Sequence, residues 1–102
     1  MTIEKLKSIA QTNEVYKDYL YDEDDKRPLN KLLNKNGFKP LGQLKVKLKD
    51  KLDSDDYKEC EGKTYTIIGF CSWVYTDASD DIMFWVDEID GEFDFTQVEK
   101  II

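Results

Sequence analysis

The stretch Lys63–Tyr75, KTYTIIGFCSWVY, constrains the fold of this chain more than any other part of it. It is the most apolar run in the protein and is rich in β-branched and aromatic residues, the composition of a strand. Alternate residues of a strand face opposite ways. Thr66, Ile68, Phe70, Ser72 and Val74 would share one face, and Tyr65, Ile67, Gly69, Cys71, Trp73 and Tyr75 the other. Both sets are largely apolar, which predicts cover on both faces. Gly69 lies mid-strand, where glycine marks a bulge or a sharp bend, and small barrels close through such bends.

A second strand is expected over Ile82–Ile89, after the polar connection Thr76–Asp81. Asp90-Gly91 reads as a two-residue hairpin turn leading to a third strand, Glu92–Val98. That turn sets Ile89 against Glu92, Asp87 against Asp94, Val86 against Phe95 and Phe84 against Gln97. Phe84, Val86, Phe93 and Phe95 then share the core face, while Trp85, Asp87, Ile89 and Asp94 share the other. Asp87 opposite Asp94 is a like-charge pair, unfavourable unless the carboxylates lean apart or meet a basic partner.

Toward the amino end, Thr2 can cap a helix starting at Ile3. Leu6, Ile9, Ala10, Tyr16 and Leu20 form a helical stripe, broken at Thr12-Asn13, so that this region reads as one helix or two covering a sheet face. Asp22–Asp25 reads as a solvated loop. Pro28–Asn36 reads as a short helix, with Pro28 at its first position, Gly37 just past its end, and Leu29, Leu32 and Leu33 pointing inward. In Leu41–Leu52, Leu44, Val46 and Leu48 alternate with lysines, a strand with one basic face; Leu41, Leu44, Leu48 and Leu52 also fit a helix. Asp53–Glu61 reads as a polar connection. The terminal Ile101-Ile102 predicts an end tucked against the core. The expected fold is one α+β domain over residues 1–102, mainly helical to residue 42 and mainly β after it. About four strands would form a small antiparallel barrel or sheet. In its order of elements, the region 43–102 resembles an SH3-like small barrel preceded by helices.

The net charge of −7 hides a division. Residues 1–51 hold 12 Lys/Arg and 8 Asp/Glu, whereas residues 52–102 hold 3 and 14. Between Lys26 and Lys51 nine basic residues stand against Asp50 alone. Such asymmetry points to a charged partner, to self-association as a homodimer, or to a basic segment packed beside an acidic one within a monomer.

Several chemistries are disfavoured. The chain has no histidine, which removes the usual general base near neutral pH and the commonest metal ligand. Cys60 and Cys71 make no zinc motif; Cys71 reads as a small core residue and Cys60 as incidental. No phosphate-binding glycine loop is present. Asp77, Ser79, Asp81 and Glu88 match four positions of a calcium loop, but Ile82 replaces its required glycine and the run Ile82–Val86 reads as a strand. No enzyme activity, cofactor or metal is expected. No run approaches the ~20 apolar residues of a membrane span, and Met1–Glu14 is not a secretory signal, so a cytoplasmic protein is expected.

Two binding roles remain. In the first, Asp80, Asp81, Asp87, Glu88, Asp90, Glu92 and Asp94, with Trp85 as aromatic anchor, meet a basic protein partner such as a nucleic-acid-binding protein. Compact acidic chains of this kind resemble, in composition, phage-encoded inhibitors that imitate DNA and occupy a basic groove. In the second, Lys45, Lys47, Lys49 and Lys51 hold single-stranded nucleic acid, with Tyr65, Trp73 or Trp85 stacking on bases; the negative net charge argues against it.

Overall fold

The computed structural model describes residues 2–11, 23–52, 55–72 and 82–102. Helix α1 spans Ile3–Gln11. Thr2 caps it as expected: its Oγ1 accepts from the Lys5 N–H at 3.2 Å and its carbonyl from Leu6 at 3.1 Å. Leu6, Ile9 and Ala10 are buried, and α1 packs against strands from both halves of the sheet. Tyr16 and Leu20 lie outside the described residues.

Helix α2 spans Glu23–Lys35, so it starts ahead of Pro28 rather than at it. The acidic run expected as a loop therefore belongs to the helix from Glu23 on. Its other end is as read from the sequence. Gly37 takes φ +85°, Phe38 N–H donates to the Leu33 carbonyl at 2.9 Å, and Gly37 N–H donates to Asn34 at 3.1 Å. These two bonds satisfy carbonyls that the helix end leaves open, and only glycine adopts this φ without strain. Leu29 and Leu33 are fully buried and Leu32 half-buried. Asn30 Oδ1 accepts from the Leu41 N–H at 3.0 Å, tying the following turn to the helix.

Five strands follow, not four: β1 (Leu44–Leu48), β2 (Thr64–Ser72), β3 (Ile82–Val86), β4 (Glu92–Asp94) and β5 (Val98–Ile101). They form one antiparallel, curled sheet in the order β4-β3-β2-β1-β5. Residues 41–52 resolve in favour of a strand. Leu44, Val46 and Leu48 are buried, Lys45 is exposed and Lys47 half-buried. The strand is shorter than that segment, because Leu41–Gln43 form a turn in which Gly42 has φ +89°. The link from β1 to β2, expected as a plain polar connection, contains a 3-10 turn at Asp55–Cys60. This turn lays Tyr57 on Phe93, with ring centroids 4.8 Å apart, and buries Cys60 in the core. Cys60 is therefore a core residue, not an incidental one; the side chain of Cys71 lies outside the description.

Strand β2 does not alternate as its sequence suggests. The β2–β3 register pairs Ile67 with Val86 but Gly69 with Trp85, leaving Ile68 as an extra, bulged residue. The bulge changes the phase of the strand. Tyr65 and Ile67 face the core before it and Phe70 faces the core after it, although regular alternation assigns them to opposite faces. The apolar look of both faces thus comes from one core face changing phase, and Thr66 and Ile68 are half-buried.

The hairpin also differs from expectation. β3 stops at Val86 and residues 87–91 form the connection, so Asp90-Gly91 is not a two-residue turn. Phe84 pairs with Phe93, Trp85 with Glu92 and Met83 with Asp94. This register is offset by an even number of residues from the expected one, so every side chain keeps its face. Phe84, Val86, Phe93 and Phe95 are all buried as expected, and the Asp87–Asp94 pairing does not form. Aromatic packing accounts for the choice: Phe84 lies 6.1 Å from Phe93 and 5.4 Å from Phe95, and such pairs contribute about 1 kcal/mol each beyond area burial. The expected third strand, Glu92–Val98, is broken by a 3-10 turn at Phe95–Gln97, after which β5 pairs with β1.

Ile67→Ala is expected to destabilise the protein by about 3 kcal/mol, and Ile68→Ala by about 1 kcal/mol or less, because only Ile67 lies in the closed core. Urea unfolding measures both; equal losses would contradict the bulge.

Candidate protein-interaction surface

The carboxylates grouped by sequence fall on two separate surfaces. Trp85, Glu92 and Asp94 lie on the outer face of the sheet, away from the core, together with Met83. All four are half-buried. Asp87, Glu88 and Asp90 lie in the connection at one end of the sheet and are exposed. Asp80, Asp81 and Trp73 lie outside the described residues.

Two of these carboxylates have structural work. Glu88 accepts the Thr66 N–H with both oxygens, at 2.6 and 2.9 Å, while the Asp87 N–H donates to the Thr66 carbonyl at 3.0 Å. The side chain of Glu88 thereby serves the backbone of β2 where the bulge has displaced the regular ladder. Asp94 caps the 3-10 turn: its Oδ1 accepts from the Thr96 N–H at 2.8 Å and from the Thr96 hydroxyl, while Gln97 Oε1 accepts from the Asp94 N–H at 3.0 Å. This reciprocal capping box closes the turn that joins β4 to β5.

Asp87 and Asp90 have no side-chain ion pair among the described residues, and the loop that carries them is held in place. A Cβ on Gly91 would meet Tyr57 Cε1 at 3.2 Å, so the Tyr57 ring seats directly on the loop backbone. The same 3-10 turn brings Glu59 to this end of the sheet, where Glu88 and Glu59 both act on the phenol of Tyr65. Burial, then a hydrogen bond with Cys60, then these negative charges push the Tyr65 phenol up to about 12. Sequence reasoning missed Glu59, because nothing in DYKEC shows that a turn lays Tyr57 on Gly91 and sets Glu59 near the phenol of Tyr65.

The lysines share less than their spacing suggested. Lys45 and Lys47 project from the outer face of β1, with Lys100 of β5 opposite Lys47. Lys47 bonds to Glu99 and, at 3.2 Å, to Asp50, which together raise its pKa. Lys49 and Lys51 are exposed beyond the end of the strand. Tyr65 is in the core and is not presented for base stacking.

Among the described residues, no group of three or more His, Cys, Asp or Glu is placed to hold a metal ion, and no helix is long and apolar enough to cross a membrane. Compared with protein-family models, with curated proteins and with solved structures, the chain has no match.

Two outcomes follow from these roles. Asp94→Ala should cost about 1 kcal/mol by loss of its cap, whereas Asp87→Ala should change stability by less than about 0.5 kcal/mol; equal effects in chemical denaturation would refute the assignment. The second concerns pH. An unfolded tyrosine titrates near 10, and folded Tyr65 holds its proton to about 12. The stabilisation is therefore complete below pH about 10 and is lost as pH rises toward about 12. Wild type should lose stability faster than Tyr65→Phe across that window; parallel curves would show that Tyr65 is not the group.

Proposed function

We propose that this protein is a non-catalytic binding module, built as an SH3-like small barrel, that uses the acidic end of its sheet to engage a basic surface on another protein. The observation that carries this reading is the convergence of two segments distant in sequence. The turn at Asp55–Cys60 and the connection 87–91 together present Glu59, Asp87, Glu88 and Asp90 at one end of the sheet. Carboxylates on a fixed loop pay little ordering entropy when they meet cations. They also speed encounter with a positively charged partner, an effect that weakens with salt. A basic DNA-binding groove suits them as a target, the carboxylates standing where phosphates would; such a protein would act as an inhibitor. Five strands with a 3-10 turn between the last two, the last strand pairing with the first, support the SH3-like reading.

The nucleic-acid reading loses ground. Lys47, the middle of the lysine strip, is committed to Glu99 and Asp50, and two of the proposed stacking residues are unsuited or undescribed.

The test is a pull-down from cell lysate with and without nuclease, eluted by a salt gradient, comparing wild type with Asp87→Lys combined with Asp90→Lys. Neither residue has a side-chain role in the fold, so the variant should fold normally and lose the retained protein. Retention that survives both substitutions would reject the acidic end. Retention that disappears with nuclease would indicate nucleic acid instead.

A further inference from the structure

We propose that Asn36 is a self-modifying residue: the backbone nitrogen of Gly37 attacks its side-chain amide, ammonia leaves, and the residue ends as aspartate or isoaspartate. The fold holds this reaction back until the end of α2 opens. The chain has four asparagines, Asn13, Asn30, Asn34 and Asn36, and only Asn36 precedes a glycine. That neighbour decides the reactivity. The attacking nitrogen is already joined to the residue it attacks, so the ring closes without an encounter step, and glycine has no Cβ to crowd the approach. In the step, the Gly37 nitrogen gives its proton to hydroxide and bonds to Asn36 Cγ. The Cγ–Nδ2 bond breaks, and Nδ2 leaves as ammonia with a proton taken from water. Water then adds to either carbonyl of the five-membered ring and breaks one ring C–N bond, which leaves a carboxylate at position 36. Only water and hydroxide are consumed.

The hydrogen bonds at the helix end show what holds the reaction back. The Leu32 carbonyl accepts both the Asn36 N–H at 3.2 Å and Asn36 Nδ2 at 2.8 Å, so the leaving group is drawn back along the helix. The nucleophile is occupied as well. The Gly37 N–H donates to the Asn34 carbonyl at 3.1 Å, and a nitrogen that keeps its proton does not attack. Buried Phe38 clamps the turn through its own bond to the Leu33 carbonyl at 2.9 Å. Ring closure has to release the first two of these bonds, and helix ends open far more readily than whole domains. Asn36 is only half-buried and Gly37 is exposed, so hydroxide and water reach the site once it opens. The product does not restore the closed end. Aspartate sets a carboxylate, which has no donor, against the Leu32 carbonyl at the negative pole of the helix dipole. Isoaspartate adds a carbon to the backbone between positions 36 and 37, so that the Gly37 and Phe38 bonds no longer fit together. None of these residues belongs to the acidic end of the sheet.

The test follows the full chain in mildly alkaline buffer, native and in guanidinium chloride, by intact mass and peptide mapping. In denaturant, Asn36 should convert while Asn13, Asn30 and Asn34 persist, and isoaspartate should appear among the products. Asp90-Gly91 can close the same ring, but it loses and regains water with no change of mass, so the mass gain reports asparagine alone. The native chain should convert at the same residue at least about tenfold more slowly, its rate being the unfolded rate scaled by the fraction of time the helix end is open. Asn30→Ala removes the bond from the Leu41 N–H that ties the turn to α2. It should raise the native rate and leave the rate in denaturant unchanged, with near-ultraviolet circular dichroism checking that the variant is folded. Converted protein and Asn36→Asp should both unfold at lower denaturant than wild type. Conversion in denaturant no faster at Asn36 than at the other asparagines, equal native and denatured rates, a native rate indifferent to Asn30→Ala, or converted protein as stable as wild type would each overturn the proposal.

Discussion

The structure depends on one closure constraint. β4 and β5 occupy opposite edges of the sheet, yet only Phe95–Gln97 lie between them in the chain. Four Cα steps reach at most about 14 Å when fully extended, and a 3-10 turn reaches less. A flat sheet of five strands would put its edges about 19 Å apart. The sheet therefore has to curl until its edges approach, with the core on the inner side and α1 packed against β3 and β5. The Asp94–Gln97 capping box secures the short link on which this closure rests.

Curling needs places to bend, and two register shifts supply them. One lies at Ile67–Gly69 in β2 and the other where β5 meets Lys47–Leu48 of β1. Bulges strengthen the local twist and kink the strand. The first also turns Phe70 inward, where it stacks on Phe95 with centroids 6.1 Å apart. Phe70, Phe84, Phe93, Phe95, Tyr65 and Tyr57 thus form a continuous aromatic core from β2 across to the β1–β2 connection.

Folding sorts the charges by task. Glu88, Glu61 and Asp94 satisfy backbone N–H groups at Thr66, Leu52 and Thr96, and Glu99 and Asp50 hold Lys47. Asp87, Asp90 and Glu59 remain exposed at one end of the sheet, and Lys45 and Lys100 on its outer face. The strong charge division along the chain therefore becomes two distinct surfaces rather than two opposed halves, and the acidic end is the basis of the proposed function.

The sequence by itself determined the α+β class, the Thr2 cap, the Gly37 helix end, and the shared inward face of Phe84, Val86, Phe93 and Phe95. Each of these rests on local geometry or on side-chain periodicity, which neighbouring residues set. It also flagged Gly69 as a bend. Only the tertiary structure decided the fifth strand, the register of β3 and β4, the early start of α2, and the division of the acidic residues between surface and scaffold. Those outcomes depend on partners distant in sequence: Phe93 against Phe84, Tyr57 on Gly91, Thr66 held by Glu88, and Ile101 beside Val46. A local preference for an Asp-Gly turn is worth less than the burial and pairing of several aromatic rings, so the long-range contacts prevailed.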